Sequence, residues 1–597
     1  MVSAETGAAG YLSRVWRLLE RSERRTALVL MVVLLVGTLL DVLSLSLFLP
    51  LISALSGDGQ GIHFPVVSNL VRTSGDAATV ARIFSLLVAV FVAKGAFTAW
   101  SIWYQRGFAS TVERRMSSDL FTRYVNRPYQ FHLDNNSSML MRNVGMASQF
   151  VTFSVDSILV LATDGAVLIA TVVMLAVIEP LGTSAVVVST LSVAAFFYLS
   201  TRSRVSKWGA SRLDLDASRI QYLQEGFGAI KEIKVLHRES QFIKRFDDTI
   251  QSWTHINRGY TTLTSLPRIW LELITLLGMT TLVGVQLLQG KTVSETLPVL
   301  GVFAAGSFRV MPSVNRIVFA VQNLKFSRPA LELLHADLKS VHEPVIAHID
   351  GELPLSGSIE FRKVSFAYPG RDTEAVSEID FLIKPGQAVG FVGSSGAGKS
   401  TLVDLLLGLL NPESGEILVG GVPRDSGKLA SKVSFGYVPQ VLFLTDDTLR
   451  NNIALGVPDS EIDEARLSAV IEKACLVELV GELPDGVNTM LGERGVRLSG
   501  GQRQRIGIAR ALYPDPDVLI LDEATSALDI RTEQEIIDEI SAIVGNKTLV
   551  IVAHRLTSVA ICGTVHQVEA GRIVMSGSPE GITQRILAEQ EESKGQI

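Results

Sequence analysis

The stretch Gly393-Ser394-Ser395-Gly396-Ala397-Gly398-Lys399-Ser400-Thr401 has the residue types and spacing of a phosphate-binding loop. Its glycines let successive backbone N–H groups turn toward one point, and at a helix N-terminus such donors favour an anion. Lys399 is expected to reach the β- and γ-phosphates of a nucleoside triphosphate, and the Ser400 hydroxyl to bind Mg²⁺. The context is right, with an apolar run at 388–392 before the loop and a helical pattern at 402–410 after it. A second stretch, Val518-Leu519-Ile520-Leu521-Asp522-Glu523, is an apolar strand that ends in two carboxylates. Asp522 is placed to hold Mg²⁺ directly or through water, and Glu523 to activate attacking water as general base.

Between these two lies Leu498-Ser499-Gly500-Gly501-Gln502. On these residues the chain resembles ATP-binding cassette (ABC) proteins, and the resemblance extends over its whole length. It implies roles for further positions. Tyr368, in Phe-Ala-Tyr-Pro-Gly, matches the aromatic that stacks on adenine, and Gln440, in Tyr-Val-Pro-Gln, the glutamine that contacts Mg²⁺. Gly492-Glu-Arg-Gly495 looks like the element that exporters carry ahead of the signature. Ser526-Ala-Leu-Asp529 matches the dimer-contact loop, and His554 the γ-phosphate switch histidine. In this family Ser499, Gly500 and Gly501 close the nucleotide site of the opposite subunit. One phosphate loop and one signature therefore imply pairing with a second copy, a homodimer in preference to a heterodimer because Glu523 is intact. ATP and Mg²⁺ are the implied cofactors.

The elements that position these groups follow from composition. Charged residues are 19% of the 597, below the ~25% usual for globular chains. Mean hydropathy is +0.32. The apolar excess lies before about residue 326. No domain-wide basic surface stands out, which argues against nucleic-acid binding. The two cysteines, Cys475 and Cys562, make no disulfide framework. The first 25 residues lack the order of regions of a secretory signal.

A helix needs about 20 apolar residues to cross a ~30 Å hydrocarbon core. Six runs qualify: 27–52, 80–104, 151–178, 181–199, 262–288 and 296–321. Arg and Lys crowd the segment before the first run and the connections 105–150 and 200–261, while the other connections are nearly bare. That bias puts both termini and the nucleotide domain on the cytoplasmic side. The predicted fold is a six-helix all-α membrane domain of exporter type followed by an α/β phosphate-loop domain. The boundaries are an interfacial elbow at 1–26, the membrane domain at 27–326 and a linker at 327–356. A nucleotide domain at 357–585 and a polar tail at 586–597 follow. In the elbow, Leu12, Val15, Trp16 and Leu19 share one helical face, which suits a helix in the membrane surface. The long connections suggest membrane helices that continue well into the cytosol. From residue 357, apolar runs alternating with helices indicate a parallel sheet. The outer segment 57–79 leaves a short amphipathic helix or an ordered loop open.

The stretches 127–143 and 228–239 look like the intracellular loops of bacterial lipid-linked-oligosaccharide flippases, which implies the bacterial cytoplasmic membrane. Lys94, Arg268, Arg309 and Arg316 fall inside the spans, with Asp41, Asp164 and Glu272 as possible counterions. A charge at the bilayer centre costs at least ~2.5–3.5 kcal/mol, so such residues usually face a polar cavity. The expected function is ATP-driven export of an amphiphile, with an anionic lipid-linked oligosaccharide as the leading cargo. Two alternatives remain open: internal ion pairs in a general lipid or amphipathic-drug exporter, and a regulatory ATPase on the same fold.

Overall fold

The computed structural model describes residues 8–46, 77–178, 180–288, 293–339, 358–371, 373–424, 433–524, 530–553 and 555–594. By compactness the chain divides into two units. Residues 1–127 and 132–341 make the first; 128–131 and 342–597 make the second.

The first unit is helical. A short helix α1 (Ala8–Leu18) precedes α2 (Arg21–Ser46) and α3 (Ala77–Val125). Then come α4 (Tyr129–Asp134), whose first residues are counted with the second unit, α5 (Ser137–Phe150), a π-helical turn (Val151–Val155) and α6 (Asp156–Ile178). Helices α7 (Pro180–Gly228), α8 (Ile230–Val235), α9 (Glu239–Leu288), α10 (Val293–Phe326) and α11 (Arg328–Lys339) complete it. Each predicted apolar run lies in one of the long helices, apart from 47–52, which falls outside the described residues. Among the described residues, three stretches are by length and composition able to cross a membrane: Phe84–Val125, Ser137–Val177 and Glu239–Leu288. Helix α3 has 49 residues. At 1.5 Å per residue it is about 74 Å long, more than twice a ~30 Å hydrocarbon core. The long connections are thus extensions of the spanning helices. Pro180 starts α7 immediately after α6, at the first helical position where its missing N–H costs nothing.

The helices are tied by side chains that a hydrocarbon-facing surface would not tolerate unpaired. Along the π-helical turn with α6 and along α10 with the residue that follows it, which run antiparallel, three polar pairs keep one register. Ser327 Oγ lies 3.2 Å from Ser154 Oγ, Asn323 Nδ2 donates to Ser157 Oγ at 3.3 Å, and Arg316 Nε donates to Asp164 Oδ2 at 2.8 Å. Tyr11 of α1 joins the lowest pair, its hydroxyl 2.7 Å from Ser154 Oγ and 2.9 Å from Ser327 Oγ. Tyr260 of α9 bonds Asn323 and stacks on Phe326, with ring centroids 4.1 Å apart.

Several expectations are corrected. Val15 and Leu19 of the elbow are buried inside the protein and Trp16 is exposed. That face therefore packs partly on the bundle, and the side chain of Leu12 is outside the description. The predicted linker is helical over Arg328–Lys339, because Leu331 and Leu334 are fully buried. Residues 586–594 of the predicted tail belong to a helix, Pro579–Lys594, anchored by the buried Ile582, and the rest of the tail lies outside the described residues. The outer segment 57–79 lies outside the described residues up to 76.

The second unit holds two sheets rather than one. Strands β1 (Ile359–Phe366), β2 (Val376–Ile383), β4 (Ser414–Val419) and β5 (Val422–Pro423) form an antiparallel sheet in the order β2-β1-β4-β5. No helix separates β1 from β2, so they pair antiparallel. The other sheet contains β3 (Ala388–Val392), β6 (Phe435–Val438), β7 (Val518–Asp522), β8 (Thr548–Ala553), β9 (Thr564–Glu569) and β10 (Arg572–Gly577). Its order is β10-β9-β3-β8-β7-β6, parallel except for β10. Strands β3, β7 and β8 are buried along their whole length, as strands covered on both faces must be.

One contact in the helical unit admits no side chain. An added Cβ on Gly209 of α7 would lie 2.1 Å from the Phe326 carbonyl oxygen, whereas one on Gly107 of α3 would meet nothing within 4 Å. Gly209→Ala should lower the Tm of the full chain in detergent by several degrees, since overpacking costs about 1–3 kcal/mol. Gly107→Ala should leave it unchanged or raise it slightly, because alanine is about 0.5–1 kcal/mol better than glycine inside a helix.

Candidate functional site

Strand β3 delivers the chain to the phosphate loop, and helix α12 (Lys399–Leu407) carries it away. The loop has no room for side chains at two of its glycines. An added Cβ on Gly393 would sit 2.1 Å from the Val568 carbonyl, and one on Gly398 2.5 Å from the Ala375 carbonyl. Gly398 also has φ +102°, which an L-residue rarely adopts. Gly571 N donates to the Ala397 carbonyl at 3.0 Å and fixes the loop from outside. Inside it, Lys399 Nζ donates to the carbonyls of Gly393 and Ser394, 2.8 Å each. Burial pulls the Lys399 ammonium below its usual range, while the Glu523 and Asp522 charges oppose that shift. The hydroxyls of Tyr368 and Thr401 lie 3.1 Å apart, and the Tyr368 ring stands edge-on to Phe366.

Asp522 ends β7 and is buried. Glu523 follows at φ +52°, a left-handed conformation that few non-glycine residues take and that clusters at functional sites. Its backbone N–H donates to the Val552 carbonyl at 2.9 Å, and its carboxylate accepts from Gln440 Nε2 at 2.7 Å. Gln440 and Glu523 are thus brought together across 83 residues of sequence. The Gln440 amide oxygen, the Ser400 hydroxyl and the Asp522 carboxylate form a set of hard oxygen donors, which fits Mg²⁺ better than a softer metal. Among the described residues no cluster of three or more His, Cys, Asp or Glu side chains could hold a metal ion unaided. Behind Glu523 is a cavity of about 80 Å³ lined by Leu521, Ile537, Ile551, Arg555 and Ser558, among others.

The signature lies at the start of helix α16 (Gly500–Leu512). Ser499 caps it: its hydroxyl accepts from Gln502 N at 3.1 Å, and Gln502 Oε1 accepts from Ser499 N at 2.8 Å. This reciprocal box sets Gly500 and Gly501, which carry no side chains of their own, in the first turn of the helix. His554 and Ser526-Ala-Leu-Asp529 lie outside the described residues.

Two residues near the site were missed in the sequence. Tyr437 of β6 points its hydroxyl at Asp522 Oδ2, 3.4 Å away, and burial followed by the Asp522 and Asp404 charges pushes its phenol upward. Asp404, one helical turn beyond Ser400, is pushed up to about 6 by burial and then by the Asp522 charge. An apolar helix containing one aspartate was the available hint.

In the helical unit, each of the three predicted cationic residues whose side chains are described has a partner of its own. Arg316 is held by Asp164 through two hydrogen bonds, and Arg268 by Glu272 at 3.0 Å. Lys94 donates to Ser44 Oγ at 3.3 Å and lies over the Phe91 ring. The side chains of Arg309 and Asp41 are outside the description.

A phosphate loop and a carboxylate pair on parallel strands define a nucleotide-hydrolysing domain, and its fusion to long apolar helices defines the class as a membrane ATPase. The family model described as "ABC transporter" matches residues 376–526, and that described as "ABC transporter transmembrane region" matches 27–306. The chain belongs to the ABC transporter family. It binds ATP and couples its hydrolysis to transport.

A protein of Burkholderia orbicola (strain AU 1054) named ATP-dependent lipid A-core flippase is 33% identical over 360 residues. That alignment covers 60% of this chain and only 60% of the relative. A protein of the same name from Ralstonia nicotianae is 28% identical, over 84% of this chain and 85% of its own. Among solved structures, a bacterial Atm1-family ABC exporter with ATP bound has the same fold, with TM-score 0.78 over 96% of this chain and 98% of that one at 24% identity.

Asp404 supplies a test. An unfolded aspartate titrates near ~3.9, and the folded one near about 6. Between those values the folded state holds the extra proton, so this group makes stability fall as pH rises through the window. Asp404→Asn should raise the Tm of the full chain at pH 7.5 and do so by only about half as much at pH 5. Parallel wild-type and variant melts at both pH values would remove Asp404 as the source.

Proposed function

We propose that this chain is an ATP-driven flippase that works as a dimer and moves an anionic, glycan-bearing lipid across the bacterial cytoplasmic membrane. The observation that carries the reading is the Gln440–Glu523 contact beside the phosphate loop, in a chain that also contains the spanning helices. The names of the relatives support a lipid as cargo. The loops at 127–143 and 228–239 favour a polyprenyl-pyrophosphate glycan, and the relatives favour lipid A-core.

In the nucleotide site, Lys399 draws on the β- and γ-phosphates, exchanging carbonyl partners for stronger charge-assisted ones. Residues Gly393 to Thr401 supply the cradle, and Tyr368 the adenine contact. Ser400, Gln440 and Asp522 would hold Mg²⁺, which neutralises phosphate charge when bound. Glu523 takes the proton of the attacking water, and Gln440 keeps its carboxylate aimed. His554 contacts the γ-phosphate. Ser499, Gly500, Gly501 and Gln502 of a second copy close the site, presenting the open helix end of α16 to the phosphate. The concentration of Arg and Lys beside the first run and in the long connections supports a cytosolic nucleotide domain and cytosolic termini.

Glu523→Gln should bind ATP yet lose turnover by at least about 10²-fold, the lower range for removing a general base. It should also trap a dimer holding two nucleotides, read by mass photometry and radiolabelled ATP retention. A turnover within about threefold of wild type would take Glu523 out of the role.

For the cargo, the Arg316 guanidinium is half exposed, and its pairing through Nε and Nη2 leaves Nη1 for an anionic head group. Arg316→Gln combined with Asp164→Asn removes the guanidinium without stranding a buried carboxylate. Flipping of a lipid-pyrophosphate glycan in proteoliposomes should fall ~10-fold or more, because a charged hydrogen bond contributes about 1.5–3 kcal/mol. Basal ATPase should stay near wild type. Unchanged flipping of that lipid and of lipid A-core would transfer the proposal to a general amphiphile exporter.

A further inference from the structure

Five arginines stand at Arg14, Arg17, Arg21, Arg24 and Arg25, and their surroundings divide them into two groups. Arg14 Nη1 lies 3.5 Å from Glu332 Oε1. Arg24 covers the end of α1, donating to the carbonyls of Trp16 at 2.9 Å and Arg17 at 3.3 Å, with its guanidinium over the Trp16 ring. The carboxylates nearby are engaged elsewhere. Arg115 of α3 holds Glu23 at 2.6 and 2.8 Å and approaches Glu20 at 3.9 Å. The side chains of Arg17, Arg21 and Arg25 are exposed and, among the described residues, make no hydrogen bond or ion pair.

Their placement is specific. Along α2, Arg21 and Arg25 begin a stripe that continues at helical spacing through Leu28, Val29, Val32, Leu35, Val36 and Leu39, all exposed. In a chain with a transmembrane domain this apolar stripe is a lipid-facing surface, and the two guanidinium groups stand on its line, Arg25 one turn and Arg21 two turns before Leu28. Trp16, an aromatic of the kind enriched at membrane interfaces, is exposed beside them. Helix stability does not explain Arg21 and Arg25, which occupy the first turn or so of α2, where the helix dipole disfavours cations; Arg17 stands in the last turn of α1, just ahead of them.

We propose that Arg17, Arg21 and Arg25 form a docking surface for the phosphates of anionic membrane lipids at the edge of the apolar stripe on α2. The occupant is a resident phospholipid rather than the transported cargo, so this surface is independent of the flippase reading. Planar guanidinium forks bind phosphate oxygens in pairs, and the adjacent acyl chains cover the exposed Leu and Val side chains.

The test uses the full chain reconstituted in phosphatidylcholine bilayers, with trace spin-labelled phosphatidylglycerol or spin-labelled phosphatidylcholine. The motionally restricted fraction of each label measures preference at the protein surface, and no transport is read. Wild type should favour phosphatidylglycerol, and one basic side chain near a membrane surface is worth about fivefold in association. The triple variant Arg17→Gln, Arg21→Gln, Arg25→Gln should lose at least half of that preference, and the corresponding triple Lys variant should keep most of it. Neutralising Arg238, Lys244 and Arg245, exposed beyond α8, should leave the preference intact. Equal preference in wild type and the Gln variant would overturn the proposal. So would an equal loss when the distant three are neutralised, or a wild type that does not discriminate between the two lipids.

Discussion

A loop that must gather negatively charged phosphates has to offer bare backbone donors, and that requirement organises the second unit. The loop is wedged between two carbonyls, of Val568 and Ala375, with no space for a Cβ at Gly393 or Gly398. Lys399 closes it by donating to its own first two carbonyls. Such a loop holds its shape only at the end of a strand that cannot move, and β3 is buried throughout, between β8 and β9. The neighbour β8 in turn fixes β7, whose last residue is Asp522. The site is therefore a consequence of parallel registry: Val392 pairs with Ala553, and Asp522 with Val552.

Glu523 shows what this registry costs. Its N–H bonds the Val552 carbonyl while its φ is +52°, so the chain leaves β7 in a conformation that disfavours a side chain. Strain of ~1–3 kcal/mol at such a residue persists only where the surroundings over-determine it. Here a sheet hydrogen bond on one side and Gln440 on the other do so. Asp404 adds a second cost, since a half-buried carboxyl under the Asp522 charge resists ionisation there.

The helical unit answers a different constraint with the same logic. Polar groups placed in apolar helices must find each other, and in α6 and α10 they do so in one antiparallel register from Ser154–Ser327 to Asp164–Arg316. The π-helical turn at Val151–Val155 lies at the lower end of that register, where Tyr11 joins the two helices. A fixed seam of this kind suits helices that move as one body, while the exposed charges at the start of α2 remain available to lipid.

Much was legible in the sequence because it is local. Residues 393–401 form a loop and helix start through their own glycines, and 498–502 cap their own helix with Ser499 and Gln502. Six apolar runs of helical length announce six long helices for the same reason, since backbone polar groups in lipid must be satisfied within the segment. What the sequence left open depends on groups far apart in the chain. The Gln440–Glu523 contact spans 83 residues and the Arg316–Asp164 pair spans 152. Of the three possible counterions the sequence offered, tertiary structure chose Asp164 for Arg316. Likewise, Val15 and Leu19 have the periodicity of a membrane-surface helix, but only packing decides whether an apolar face meets lipid or protein. Periodicity records that a face is apolar; tertiary structure alone decides what covers it.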